Sequence, residues 1–167
     1  MNTPLHFGFG DTSLGIVLTA VSGQGVCSIL IGDDRATLSR DLRRRFHSAS
    51  LVRDDRNVRR VLGKVSRFID APGAGLDLAL DATGTDFQQR VWRALMKIPA
   101  GSTASYADIA RGIDEPGAAR AVAQACAANP IAFAIPCHRV VRSDGALSGY
   151  RWGVERKRAL LEREARA

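Results

Sequence analysis

Apolar and polar positions change rhythm partway along the chain. Residues 14–21 (LGIVLTAV) and 26–31 (VCSILI) are β-rich runs on either side of Ser22-Gly23-Gln24-Gly25. That arrangement predicts a hairpin, with a further strand expected near Phe7–Phe9. Helical spacing follows. Leu38, Leu42 and Phe46 share one face of residues 33–46, and Val58, Val61, Leu62, Val65, Phe68 and Ile69 share one face of 57–69. Ala71-Pro72-Gly73-Ala74-Gly75 breaks the pattern, and Leu76, Leu78 and Leu80 then alternate, which predicts a strand. The order β-β-α-α-β suggests a small sheet carrying helices.

From residue 82 the texture becomes short helices with sharp punctuation. Thr85 with Gln88 three residues on forms a capping box, and Phe87, Val91, Leu95 and Ile98 make the stripe behind it. Pro99-Ala100-Gly101 stops that helix. Ser105 and Asp108 mark another start, with a short helix running to Ile113. Asp114-Glu115-Pro116-Gly117 would place Pro in a first helical turn, opening a third helix, 118–129, that is mostly Ala. Two short helices about a tight Pro/Gly turn are the helix-turn-helix pattern. The second helix would face DNA, with Arg120 as its only charge, although the segment alone reads better as an Ala-rich packing helix. Residues 153–164 complete the chain as a helix.

Length and charge narrow the class. The chain has 167 residues, enough for one ordinary domain or two small ones. No run approaches the ~18 apolar residues that would cross a bilayer, so a soluble, cytoplasmic protein with no membrane association is expected. The net charge is +7, and 21 of the 24 basic residues are Arg. Residues 82–167 hold 13 basic against 8 acidic side chains, so nucleic acid is expected at the carboxyl half. Arg-rich composition by itself would give the same excess. Cys27, Cys126 and Cys137 are odd in number and contain no CxxC, which argues against a disulfide framework or structural zinc. Cys27 and Cys126 read as structural. His6 and His47 read as exposed, outside any ligand-like cluster.

Chemistry concentrates at Pro136-Cys137-His138-Arg139-Val140-Val141, between the apolar IAFAI run and the turn Ser143-Asp144-Gly145. A lone Cys is usually a small buried hydrophobe. Here a preceding Pro, an adjacent His, an adjacent Arg and a following surface turn point to a reactive thiol with a lowered pKa. In an extended segment neighbours face opposite ways, so His138 would reach the sulfur through a bridging water. The imidazole would need an orienting acceptor, and the last helix offers Glu155, Glu162 and Glu164.

The sequence IPCHRVV followed by SGYRWGVERKRALLEREA resembles the O6-alkylguanine-DNA alkyltransferases (methylated-DNA–protein-cysteine methyltransferases). The likeness is to the carboxyl-terminal repair half of their bifunctional adaptive-response members. FQQRVWRAL, SYADIA, AARAVAQACAANP, PCHRVV and GYRWG fall in the family's order over residues 83–167. The resemblance implies an α/β amino-terminal domain, 1–80, a small ribonuclease H-like sheet with helices. A mostly α winged-helix-type helix-turn-helix domain, 81–167, would follow. It implies alkyl transfer from guanine O6, less readily thymine O4, to Cys137 in double-stranded DNA, one turnover per molecule and no cofactor. His138 would be the base acting through water and Glu164 its orienting carboxylate. Tyr106 would protonate the leaving guanine. Arg120 would enter the stack in place of the flipped base, and Asn129 would be the hinge before the Cys segment. Ser105, Ala121 and Arg139 would join Tyr106 and Arg120 at the DNA. Val140, Ser148, Tyr150, Arg151 and Ala132 would line the base pocket. A monomer is implied.

The amino-terminal zinc unit of the adaptive-response members has no counterpart here, and only Cys27 and His6 remain for the zinc site of other members, so no metal is expected. Ala132 stands where some relatives carry Pro, which implies poorer acceptance of bulky benzyl adducts. Two other classes remain open from the residues: a helix-turn-helix adduct sensor without chemistry, and a thiol hydrolase using Cys, His and Glu. Nothing in the chain suggests the acyl pocket the latter needs.

Overall fold

The computed structural model describes residues 3–167. Its first half is a sheet with two helices. Strands β1 (Leu5–Thr12), β2 (Gly15–Ser22) and β3 (Gly25–Gly32) form an antiparallel meander, and the short β4 (Leu51–Arg53) pairs parallel with β1, giving the order β3-β2-β1-β4. The expected hairpin turns at Ser22–Gly25. Helix α1 (Arg35–Arg45) enters between β3 and β4, and α2 (Asp55–Asp70) follows β4. Each is capped by the Asp before it: Asp34 accepts from Thr37 N and Asp54 from Asn57 N. The buried faces, Leu38 and Leu42 of α1 and Val58, Val65, Phe68 and Ile69 of α2, follow the spacing of the sequence. Helix α2 lies close on β1, because a Cβ at Gly8 would sit 2.6 Å from Val58 Cγ2.

One expectation for this half needs correction, and one strand has no counterpart in the sequence pattern. Leu76, Leu78 and Leu80 do not form a strand: only Leu80 makes a bridge, to Val26. Just two backbone bonds tie the segment down, Val26 N to Ala79 O and Asp81 N to Val26 O. The strand that does exist, β4, is three residues long and carries no alternation to read.

The second half runs through α3 (Asp86–Leu95), β5 (Ala104–Ser105), α4 (Tyr106–Gly112), α5 (Ala119–Ala127), a 3₁₀ turn at Cys137–Arg139, β6 (Val140–Val141) and α6 (Val154–Arg166). Both capping boxes form, Thr85 with Gln88 and Ser105 with Asp108. Pro116 lies in the turn between α4 and α5, ahead of the first helical residue. Trp92 on α3 is buried and donates its indole N–H to Ala125 O of α5 at 2.9 Å. Gly84 leaves room for that ring, since a Cβ there would sit 2.6 Å from it.

Two pairings hold the chemistry-bearing segment. β5 pairs parallel with β6, so Tyr106 leaves the same ribbon that follows Cys137. Ile29 of β3 bridges to Ile131, with Ile29 N to Pro130 O at 3.0 Å and Ala132 N to Ile29 O at 2.9 Å. The IAFAI run is therefore buried against the first half. It turns sharply at Phe133, whose φ of +70 is uncommon for a bulky residue.

Candidate active site

Cys137, Tyr106, Arg120, Ser148, Tyr150 and Arg151 line one cleft of about 1010 Å³ between α4, α5 and the loop before α6. Cys137 is at its floor and only 5% exposed. The local backbone is a 3₁₀ turn rather than the extended segment expected from sequence, so His138 points away from the cleft into the core.

Asn129 organises the floor. Its side-chain Nδ2 donates to Cys137 Sγ at 3.2 Å and to Ile135 O at 2.8 Å, while Oδ1 accepts from Ile131 N at 2.9 Å. One side chain thus ties both ends of the 131–137 loop and points a donor at the sulfur. Burial pushes the Cys137 thiol up to about 11, against the pull of that donor and of the Lys157 and Arg151 charges. The thiol is protonated at neutral pH, contrary to the lowered pKa expected from its basic neighbours in sequence. Adjacency in sequence misled here, because Arg139 does not face the sulfur.

Behind the floor sits a buried charge cluster. Glu164 on α6 accepts from His138 Nε2 at 3.0 Å and from Arg139 Nη2 at 2.6 Å, and Arg139 Nη1 donates to Ile98 O at 2.7 Å. Burial alone would raise the Glu164 carboxyl, but the His138 and Arg139 hydrogen bonds outweigh it and hold it at about 2. Burial lowers the pKa of His138 despite the carboxylate beside it. With Glu164 ionised, Nε2 carries the imidazole proton, and the lone pair belongs to Nδ1. Nδ1 is buried and has no hydrogen-bond partner among the described residues. A neutral imidazole with a free basic nitrogen, oriented by a carboxylate, can accept a proton.

On the other wall the Tyr106 hydroxyl makes a short hydrogen bond to Ser148 Oγ, which also accepts from Lys157 Nζ at 3.1 Å. Burial raises the Tyr106 phenol, so it keeps its proton. Tyr150 stacks edge-on against Trp152 at 5.3 Å, and its buried hydroxyl has no partner among the described residues. Arg120 is exposed on α5 at the cleft.

The chain matches the family model described as "6-O-methylguanine DNA methyltransferase, DNA binding domain" over residues 86–166. It is 42% identical over 125 residues to the inducible methylated-DNA–protein-cysteine methyltransferase of Bacillus subtilis, covering 75% of this chain and 70% of that one. The chain belongs to the methylated-DNA–protein-cysteine methyltransferase family. It is also 49% identical over 164 residues, 98% of this chain, to the bifunctional transcriptional activator/DNA repair enzyme Ada of Escherichia coli, of which it spans 46%. Among solved structures, Mycobacterium tuberculosis OGT in complex with DNA superposes with a TM-score of 0.78 at 36% identity, covering 96% of this chain and 93% of that one.

Most residues that the family resemblance singled out converge here: Cys137, Tyr106, Arg120, Ser148, Tyr150 and Arg151 at the cleft, with Asn129 bonded to the sulfur beneath it and His138 and Glu164 directly behind. Several do not. Arg139, expected at the DNA, is buried and spends its guanidinium on Glu164 and Ile98 O. Val140 and Ala132, expected at the pocket wall, are fully buried and outside the cleft lining. The Ser105 hydroxyl is occupied as the α4 cap, and Ala121 is half-buried away from the lining. His6, expected to be exposed, is half-buried and bonded to Asp54 at 3.0 Å.

Two further positions at or beside the cleft are not legible from the sequence. Cys126, which reads as structural in the sequence, lines the cleft with Cys137. Lys157 is fully buried, and Ser148 is the partner its ammonium bonds. Burial lowers its pKa, against the Cys137 and Cys126 thiols that favour its charge. Composition holds the one trace of it, because Lys157 is the one Lys among Arg156, Arg158, Arg163 and Arg166 in an Arg-rich chain.

Proposed function

We propose that this chain is a single-turnover DNA repair protein that moves an alkyl group from guanine O6 in duplex DNA, less readily from thymine O4, onto Cys137. One observation carries the reading. A thiol at the floor of a cleft is hydrogen-bonded by Asn129, backed by the His138–Glu164 pair, and flanked by a protonated Tyr106 and an exposed Arg120. The relatives, a DNA repair enzyme and an OGT solved in complex with DNA, support it.

The alkylated base swings out of the helix into the cleft, and Arg120 fills the gap in the stack. The Cys137 proton passes through a water to His138 Nδ1, and Glu164 stabilises the imidazolium that forms. The sulfur attacks the alkyl carbon as the C–O bond breaks, and Tyr106 supplies a proton to the departing guanine. The product thioether is a very poor leaving group, so each molecule reacts once. Neither metal nor cofactor enters.

The chain divides, on this reading, into a ribonuclease H-like sheet unit over 1–80 and a winged-helix-type unit over 81–167, acting as a monomer in the cytoplasm. Small Ala side chains on the cleft side of α5 suit close approach to a minor groove.

The high pKa of Cys137 favours a second reading, an adduct sensor that binds without reacting. Intact mass after incubation with methylated duplex separates the two. A single added methyl on Cys137, abolished by Cys137→Ser with DNA binding retained, is expected. Tight binding with no mass change would establish the sensor instead.

A further inference from the structure

Helix α1 belongs to the first half of the chain, yet its last residue reaches across to the second. Arg45 is half-buried, and its guanidinium forks between two carbonyls: Nη2 donates to Thr83 O at 2.5 Å and Nη1 to Ala128 O at 3.4 Å. Thr83 lies just before α3, and Ala128 caps α5 immediately before Asn129. Arg151, from the cleft loop, donates to the next carbonyl, Asn129 O, at 2.8 Å. Asp41, one turn back on α1, attracts the Arg151 guanidinium. On the far side of Asn129, Ser28 Oγ of β3 donates to Pro130 O at 3.1 Å. Three successive carbonyls, Ala128 to Pro130, are thus held by cationic or hydroxyl donors, two of them from the first half.

We propose that Arg45 is a positioning residue for alkyl transfer: by gripping the carboxyl end of α5 it fixes the pose of Asn129, and so the donor that Asn129 presents to the Cys137 sulfur. The inference rests on the acceptor role of Cys137 proposed above and adds a part for the first half of the chain. The physical case is direct. Asn129 Nδ2 bonds both Ile135 O and Cys137 Sγ, so a shift of its backbone moves the floor of the cleft. Misplacement by about 1 Å in such a site can cost up to ~10²-fold in rate. A guanidinium fork spans two acceptors, whereas a Lys ammonium is a single point charge. Arg45 is not among the residues that line the cleft and makes no bond to the sulfur; its bonds go to the carbonyls at the hinge, and its charge faces that of Arg151.

The test compares Arg45→Ala, Arg45→Lys and, as an exposed control one residue away, Arg44→Ala, in the full chain. Single-turnover transfer from saturating methylated duplex should fall about tenfold in Arg45→Ala. Arg45→Lys should recover part of that loss, and Arg44→Ala should match wild type. Affinity for unmodified duplex should hold in all three. The pH–rate profile of Cys137 with iodoacetamide should move to higher pH in Arg45→Ala, a shift that simple loosening of the fold would not produce. If Arg45→Ala melts below the assay temperature, Arg45→Gln keeps the stem and one donor and carries the same comparison. Wild-type rate together with an unmoved profile in a folded Arg45 variant overturns the inference. Absence of transfer in the wild-type protein would instead overturn the acceptor role of Cys137.

Discussion

His138 Nε2 and Glu164 Oε2 lie 3.0 Å apart, and neither side chain reaches solvent. The same carboxylate also carries Arg139, so it fixes an imidazole tautomer and neutralises a guanidinium at once. Glu164→Gln should therefore do two separable things. It leaves the Arg139 charge buried without an anion, which should cost about 3 kcal/mol of stability. It also removes the charge that stabilises the imidazolium, which should slow methyl transfer by roughly 10²-fold. Thermal melting reads the first and single-turnover labelling the second. Unchanged transfer in the folded variant would remove Glu164 from the relay.

The same pair sets the acid response. Burial holds the folded His138 pKa below its unfolded value, so its share of stability is complete above about pH 6.5 and drains as pH falls below that. Glu164 is held at about 2, so its share is complete above about pH 4.3 and drains as pH falls toward 2. Wild-type melting temperature should begin to drop below pH ~6.5 and fall faster below pH ~4.3. Glu164→Gln should lose the steeper lower limb, and an identical limb in that variant would assign acid unfolding to other groups.

Cys137 gives a sharper test of the proton path. With its thiol pushed up to about 11, about one molecule in ten thousand carries a thiolate at pH 7. Reaction of the DNA-free protein with iodoacetamide should climb roughly tenfold per pH unit from 7 to 10. Asn129→Leu, which removes the donor at 3.2 Å, should shift the curve to still higher pH. A plateau below pH 8 would mean that the resting thiol is already ionised.

What the residues made legible was local. Thr85 with Gln88 and Ser105 with Asp108 cap helices by contacts three residues long, and both boxes form. The Ser22–Gly25 turn and the α1 and α2 stripes are equally short-range. The misreadings depend on distant partners. β4 exists because Leu51–Arg53 pairs with β1 more than forty positions earlier in the chain. Arg139 turns inward because Glu164 waits on α6, and no pattern around PCHRVV encodes that. At the site, the Cys137, His138, Tyr106, Arg120 and Asn129 positions came from a motif whose order survives in the chain. The Lys157 ammonium did not, since its burial is a product of packing and its helix reads as polar.

Lys157 is where stability and activity should part. A fully buried ammonium bonded to a serine hydroxyl, with no carboxylate paired to it among the described residues, is expensive to bury. Lys157→Met, of similar reach, should raise stability by about 1–3 kcal/mol. It should also remove a charge that favours the Cys137 thiolate and a donor to Ser148, so transfer slows and the iodoacetamide profile of Cys137 moves up in pH. A variant that melts higher and transfers as fast as wild type would make Lys157 a passive feature of the core.

Arg120 separates base extrusion from bond-making. It is exposed on α5, and substitutions at such positions usually change stability by no more than ~0.5 kcal/mol. It lines the cleft but has no part in the floor network of Asn129, Cys137, His138 and Glu164. If its plane fills the stack vacated by a flipped base, Arg120→Ala should slow transfer from methylated duplex by an order of magnitude or more, because nothing then offsets the few kcal/mol of unstacking. Transfer from free O6-methylguanine base, which needs no extrusion, should run at the wild-type rate. The ratio of the two rate constants is the measurement. Equal losses on duplex and free base would place Arg120 in the chemistry of the pocket, and no loss on either would leave it a solvated helix charge.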